Sequence, residues 1–243
     1  MQQTRIIMGM PITINISEMA NADIFEKIFD YFDYIDNKFS TYKKDSEISK
    51  INRNEIDKKD YSDEMNEVFR LSEKTKIETQ GFFNIKRNGF IDPSGLVKGW
   101  SIYNAYELLK TKGFKNFYID AGGDIQISGK NKNKKWEIGI KNPFDQTKII
   151  KTLKLYNKGI ATSGTYIRGQ HIYNPINNKE IQDVVSMSVI GPNIYEADRF
   201  ATAAFAMGKE GINFIERLKG FEGYMIIASG IATMTTGFEK YVG

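Results

Sequence analysis

The chain of 243 residues contains no cysteine. Disulfides, Cys-rich zinc sites and thiol catalysis are thereby excluded, and no cysteine of the lipoprotein-anchor type is present in these residues. It has one histidine, His171. That rules out His-rich metal sites and leaves a single imidazole for proton chemistry near neutral pH. No apolar run approaches transmembrane length, and "MQQTRIIMGMPITINIS" has no signal-peptide core. No dense Lys/Arg run is interleaved with aromatics, so a nucleic-acid partner is not expected. The formal net charge is a mild +4. A protein without membrane insertion, placed in the cytoplasm, is the expectation; an exported form with its leader removed stays open. The sequence does not specify the oligomeric state.

What is present is ordinary globular material, 41% hydrophobic and 26% charged. Residues 6–17 are rich in β-branched residues and read as one strand. Ile24, Phe25, Ile28, Phe29, Phe32, Ile35 and Phe39 recur at helical spacing, predicting an amphipathic helix over 23–39. Short and longer helices follow at 45–52 and 62–79, the first capped by Asp45 or Ser46. A Gly/Pro-punctuated stretch leads into a helix over 98–112 that ends at Gly113. Residues 116–129 read as a strand interrupted by a double glycine. Further strands are expected at 135–140, 147–155, 159–164, 184–191 and 223–229. A helix carrying Asp198 and another around 212–218 separate the last two. Helices and strands come in runs, which argues an α+β fold in one domain, 1–243.

Four places invite chemistry. In "IDPSGLVKGW" (91–100), Asp92 precedes a turn and Lys98 stands at an expected helix start, where amides and an ammonium attract anions. The spacing is not that of a Walker A loop, and a plain turn is the alternative. In "IDAGGDI" (119–125), the paired glycines mean a bulge or a close approach by a ligand. In "ATSGTYIRGQHIYNP" (161–175), Thr162, Ser163, Arg168 and His171 lie close together and could serve a phosphate or a proton transfer. In "EADRFATAA" (196–204), Asp198 and Thr202 are one helical turn apart. Taken alone, Asp198 reads most simply as a helix cap. The other reading is a sparse Mg²⁺ site, completed by a backbone carbonyl and ligand oxygens.

Nine segments in order carry a resemblance: "MGMPITINI", "FSTYKKDSEISKIN", "GFFNI", "IDPSGLVKGWSI", "NFYIDAGGDI", "WEIGIKNP", "GIATSGTYIR", "HIYNPINNKEI" and "VVSMSVIGPNIYEADRFATAAFAMG". Together they resemble the ApbE family of FAD:protein FMN transferases. The resemblance implies an ApbE-like (T-fold-like) domain of antiparallel or mixed β-sheets with flanking helices. It implies a Mg²⁺-dependent enzyme that takes FAD and attaches FMN through a phosphoester to a Thr or Ser hydroxyl, releasing AMP. The implied acceptor is a flavoprotein subunit with a D-x-x-[ST]-G-A-T pattern. The chain's own "ASGIAT" (228–233) has a different spacing and reads as turn and strand. FAD hydrolysis to FMN and AMP, or FAD binding without catalysis, are the alternatives.

By the same resemblance, the metal ligands fall on Asp198, Thr202 and the carbonyl of Gly95. The flavin contacts fall on Met8, Tyr42, Phe82, Phe83, Asn84, Asp92, Lys98, Ile172 and Tyr173. His171 takes the place of the family histidine that assists catalysis, and Lys98 shares the stabilisation of phosphate charge. The chain departs from the family pattern at Asn84 and Asn174, where an Asp is usual, and in a short segment between "GFFNI" and "IDPSG".

Overall fold

The structure, a computed structural model, describes residues 1–164 and 173–243. The chain opens with a hairpin, β1 (Gln2–Ile7) and β2 (Met10–Ile16), where one strand was expected. Met8 and Gly9 both take positive φ, 55° and 71°. That pair of conformations is the two-residue turn that matches the twist of paired strands. Helix α1 (Ala22–Phe39) follows, its first turn closed by the Asn21 side chain accepting from the Ile24 N–H. All seven apolar residues predicted for its inner face are buried.

Ser46 caps α2 (Glu47–Asn52) and Ser62 caps α3 (Asp63–Glu78), each accepting an N–H three residues on. A small hairpin comes next, β3 (Lys86–Arg87) and β4 (Phe90–Ile91). The Asn52 side chain both donates to and accepts from the Ile91 backbone, at 2.8 Å each way, and so pins β4 to α2.

Helix α4 (Ser94–Thr111) begins four residues earlier than the sequence suggests. Pro93 sits at its N-cap and supplies the carbonyl for the first turn, and Asp92 accepts the Ser94 N–H at 3.0 Å. Gly95 therefore lies in the first turn and Lys98 one turn in. The double glycine is a hairpin turn, not a bulge. It joins β5 (Phe117–Ala121) to β6 (Asp124–Ser128), with φ of 62° and 97° at Gly122 and Gly123.

A separate two-stranded ribbon, β7 (Trp136–Asn142) with β8 (Asp145–Leu155), precedes β9 (Gly159–Gly164). After β10 (Val184–Gly191) come α5 (Ile194–Ala206), α6 (Gly211–Glu216), β11 (Glu222–Ile227) and β12 (Ala232–Met234).

The main sheet runs β1-β2-β5-β6-β9-β10-β11-β12, and every pairing among the described residues is antiparallel. Helices α1, α4, α5 and α6 share one core with β2, β5 and β10. Alternate residues of β6, β10 and β11 form a second core with the β7–β8 ribbon, closed by Trp136, Leu153, Leu155 and Phe238. The layers are thus helices, sheet and ribbon, in agreement with the expected α+β class. A third cluster joins α1, α2, α3 and α4 around Trp100 and Phe83. No helix among the described residues is long and apolar enough to cross a membrane.

Phe29 is fully buried in the first core. Its truncation to Ala removes packing that neighbouring rigid elements cannot restore. A loss of about 3–5 kcal/mol is expected, read as a lower urea midpoint.

Candidate active site

A cavity of about 1080 Å³ opens between the helical layer, the sheet and the ribbon. Its floor is the seam between α4 and α5, and β9 and the β5–β6 turn form one wall. Residues of β7 form another, and the segment around β3 and β4 lines the rim.

The seam is set by Gly99. Its N–H donates to Asp198 Oδ2 at 2.8 Å. A β-carbon at residue 99 would stand 2.6 Å from Asp198 Cβ and 2.9 Å from the Ile194 carbonyl oxygen. Only a glycine lets the two helices approach this closely. Asp198 is not a cap: Asn193 caps α5 by accepting from the Glu196 N–H, and Asp198 lies mid-helix and only 3% exposed. In a regular helix the Gly99 N–H would serve the Gly95 carbonyl. Here that N–H is given to Asp198, and a carbonyl has two acceptor lone pairs, of which a helical N–H takes at most one.

Thr202 lies one turn beyond Asp198, beside Gly95. A β-carbon at residue 95 would meet Thr202 Cγ2 at 3.4 Å, Phe83 Cε2 at 3.5 Å and Thr202 Oγ1 at 3.8 Å. Ser163 Oγ of β9 is 3.4 Å from Thr202 Oγ1. The three residues expected as metal ligands therefore converge, two from α5 and one from the first turn of α4. Their donors are a carboxylate, a hydroxyl and a carbonyl, the hard oxygen set that suits Mg²⁺ with ligand oxygens or water completing the shell. Among the described residues no group of three or more His, Cys, Asp or Glu could hold a metal. The described residues thus offer hard oxygens.

Two more carboxylates lie close by, neither assigned from the sequence. Asp124, the first residue of β6, accepts the Thr162 N–H at 3.0 Å through Oδ1, and its Oδ2 lies 2.5 Å from Lys98 Nζ. Lys98 Nζ is also 3.9 Å from Asp198 Oδ1. Burial, foremost, pushes the Asp198 carboxyl up to about 7; Lys98 and the Gly99 N–H oppose the rise and Asp124 adds to it. Asp120, whose Oδ1 accepts the Gly123 N–H at 2.7 Å, is raised to about 6, again by burial first. Lys141 of β7 and Lys98 hold it down in part.

The other expected residues divide. Phe82, Phe83, Asn84, Asp92 and Tyr173 line the cavity along with Lys98. The Arg87 guanidinium lies 3.9 Å above the Tyr173 ring. Asn84 Oδ1 accepts the Lys86 N–H at 3.0 Å, which turns the chain into the short hairpin. Met8 packs against the core from the β1–β2 turn, and its neighbours Gly9 and Met10 face the cavity instead. Tyr42 is 97% exposed and is not among the lining residues, so its position does not bring it to a flavin. His171 and Ile172 lie outside the described residues.

The ApbE family model matches residues 8–89 and 85–225. The chain belongs to the ApbE family. An FAD:protein FMN transferase of Vibrio cholerae is 31% identical over 50% of this chain and 40% of its own length. Another, of Haemophilus influenzae, is 25% identical over 84% of this chain and 79% of its own. The chain spans less than half the length of the first of these. In fold, an ApbE protein structure from Thermotoga maritima superposes with a TM-score of 0.88 at 20% identity, covering 99% of this chain and 98% of that one. ApbE architecture thus extends over nearly the whole chain.

Gly99→Ala forces the helices of that seam apart. A loss of about 1–3 kcal/mol is expected from overpacking, read as a lower urea midpoint. Unchanged stability would show that the seam tolerates a methyl group there.

Proposed function

We propose that this chain is a Mg²⁺-dependent FAD:protein FMN transferase, acting as one domain over residues 1–243. The observation that carries the reading is the convergence of Gly95, Asp198 and Thr202 on the floor of a cavity of about 1080 Å³. That volume suits a dinucleotide-sized ligand. In the proposed reaction the hydroxyl oxygen of an acceptor Thr or Ser attacks the FMN-side phosphorus. The bond from that phosphorus to the bridging oxygen breaks, and AMP departs with the electron pair.

A divalent cation held by Asp198, Thr202 and the Gly95 carbonyl would neutralise pyrophosphate charge as the bond breaks. Lys98 places an ammonium beside the same floor, where positive charge stabilises phosphate oxygens in a water-poor site. Asp92 holds the start of α4 through the Ser94 N–H. Phe82, Phe83 and Asn84 on one side, and Tyr173 on the other, are the surfaces proposed to hold the flavin. Aromatic faces favour a planar partner, as the half-buried Tyr173 shows with the Arg87 guanidinium over its ring. His171 is proposed as the base that takes the acceptor proton, a role that rests on the sequence pattern alone. The acceptor is proposed to be a flavoprotein subunit that presents its hydroxyl in a D-x-x-[ST]-G-A-T segment.

The reading is tested by incubating the protein with FAD, Mg²⁺ and a domain bearing that segment, then measuring flavin fluorescence on the denatured acceptor. Labelling is expected, and Asp198→Ala or chelation should reduce it by about 10²-fold or more while the far-UV circular dichroism stays unchanged. Free FMN and AMP without labelling would replace transfer by hydrolysis. Intact FAD throughout would leave a binding protein.

A further inference from the structure

Asp124 has no place in the reading so far, although it is 1% exposed and faces the floor of the site. One of its oxygens is hydrogen-bonded, and the other, without a hydrogen-bond partner among the described residues, faces an ammonium. Oδ1 takes the Thr162 N–H of β9 at 3.0 Å, which fixes the carboxylate on the sheet. Oδ2 lies 2.5 Å from Lys98 Nζ, and the same ammonium stands 3.9 Å from Asp198 Oδ1. Lysine is a compact charge on a flexible four-carbon stem. Without Asp124, that charge would be drawn toward the next buried carboxylate, Asp198, because poorly solvated opposite charges attract strongly at contact distance. An ammonium in contact with Asp198 would then occupy the face of the carboxylate that a metal cation needs.

We propose that Asp124 is a positioning residue that draws Lys98 away from Asp198 and so keeps Asp198 Oδ1 available to a divalent cation. The proposal rests on the reading of Asp198 as a metal ligand. It assigns the aspartate after the double glycine a role distinct from ligation: it sets where the neighbouring positive charge sits. The geometry is asymmetric in the required sense, since Lys98 touches the carboxylate on the sheet and stands off from the one on α5.

The test is a double-mutant cycle read by Mn²⁺ binding, with free Mn²⁺ followed by electron paramagnetic resonance and no FAD present. Asp124→Asn keeps an oxygen for the Thr162 N–H but removes the charge that holds Lys98. It should weaken Mn²⁺ binding by about 10–100-fold, as loss of an outer-shell partner does. Lys98→Met should bind Mn²⁺ no more weakly than the unaltered protein. Adding Asp124→Asn to Lys98→Met should then change the affinity by less than about threefold, because the two residues act as one unit.

An equal loss from Asp124→Asn in both backgrounds would overturn the proposal, since Asp124 would then act by its own field and not through Lys98. A Lys98→Met protein that binds Mn²⁺ more weakly would overturn it as well, whether or not the Asp124 variant folds. If Asp198→Ala binds Mn²⁺ as the unaltered protein does, the metal reading fails too, which separates that failure from a failure of the proposal alone.

Discussion

The contact between Gly99 and Asp198 is the constraint on which the rest depends. One hydrogen is missing a side chain to replace it, and two helices from distant parts of the sequence meet. That approach carries Asp198 into a buried position and sets Thr202 against the first turn of α4. It also gives the Gly99 N–H a side-chain acceptor on the neighbouring helix. The sheet and the helices α1 and α3 act mainly to hold this seam still. Arg199, beside Asp198, is 3% exposed and ion-pairs with Glu78 of α3 and Glu196 of its own helix. Its guanidinium also lies over the Phe200 ring of the same helix, while the Glu78 pair ties α5 to α3. A buried arginine left without its partners is costly, so the seam and this tie support each other.

The electrostatics of the floor follow from the same packing. Asp198 and Asp124 are both buried, and Lys98 is the ammonium that both of them face. Burial raises the Asp198 carboxyl toward neutrality, and the nearby cation works against that rise. A further positive charge would relieve the excess of buried negative charge. The floor is thus poised for a cation, and phosphate oxygens would be drawn to the same place by the cation and by Lys98 together. Apolar and aromatic residues, among them Ile138, Ile140, Phe90 and Tyr173, line other parts of the cavity, so it offers charged and greasy surfaces together. A flavin nucleotide carries both kinds of surface.

Much of this was legible in the sequence, and the misses have physical causes. The amphipathic pattern of α1 and the β-branched runs of β9 and β10 gave these elements nearly to the residue, because burial on one face or both imposes a strong period. The sequence reads as one strand through Met8-Gly9, and as a strand interrupted by a bulge or ligand approach at Gly122-Gly123, where the structure has two hairpin turns. A two-residue turn leaves no polar stretch between strand formers, and only the positive φ values reveal it. The start of α4 was placed late because Pro93, Ser94 and Gly95 are all residues that turns favour. The one-turn spacing of Asp198 and Thr202 is visible in the sequence itself, whereas Gly95 comes only from the family resemblance, because it lies a hundred residues away and carries no side chain to mark it. Asp124 was passed over because an aspartate after two glycines looks like a solvent-facing turn residue. Its burial depends on β9 and α4 closing over it, which no local pattern encodes. Tyr42 shows the converse, an aromatic suited to stacking that the fold leaves in solvent.

The central claim is that Gly95, Asp198 and Thr202 form one cation site at the phosphate end of an FAD cavity. Anomalous X-ray diffraction from crystals grown with Mn²⁺ and FAD tests it most directly. The account predicts a metal peak in contact with the Asp198 carboxylate, the Thr202 hydroxyl and the Gly95 carbonyl, bridged to the pyrophosphate. FAD bound in the cavity with the metal peak elsewhere, or with none, would contradict it.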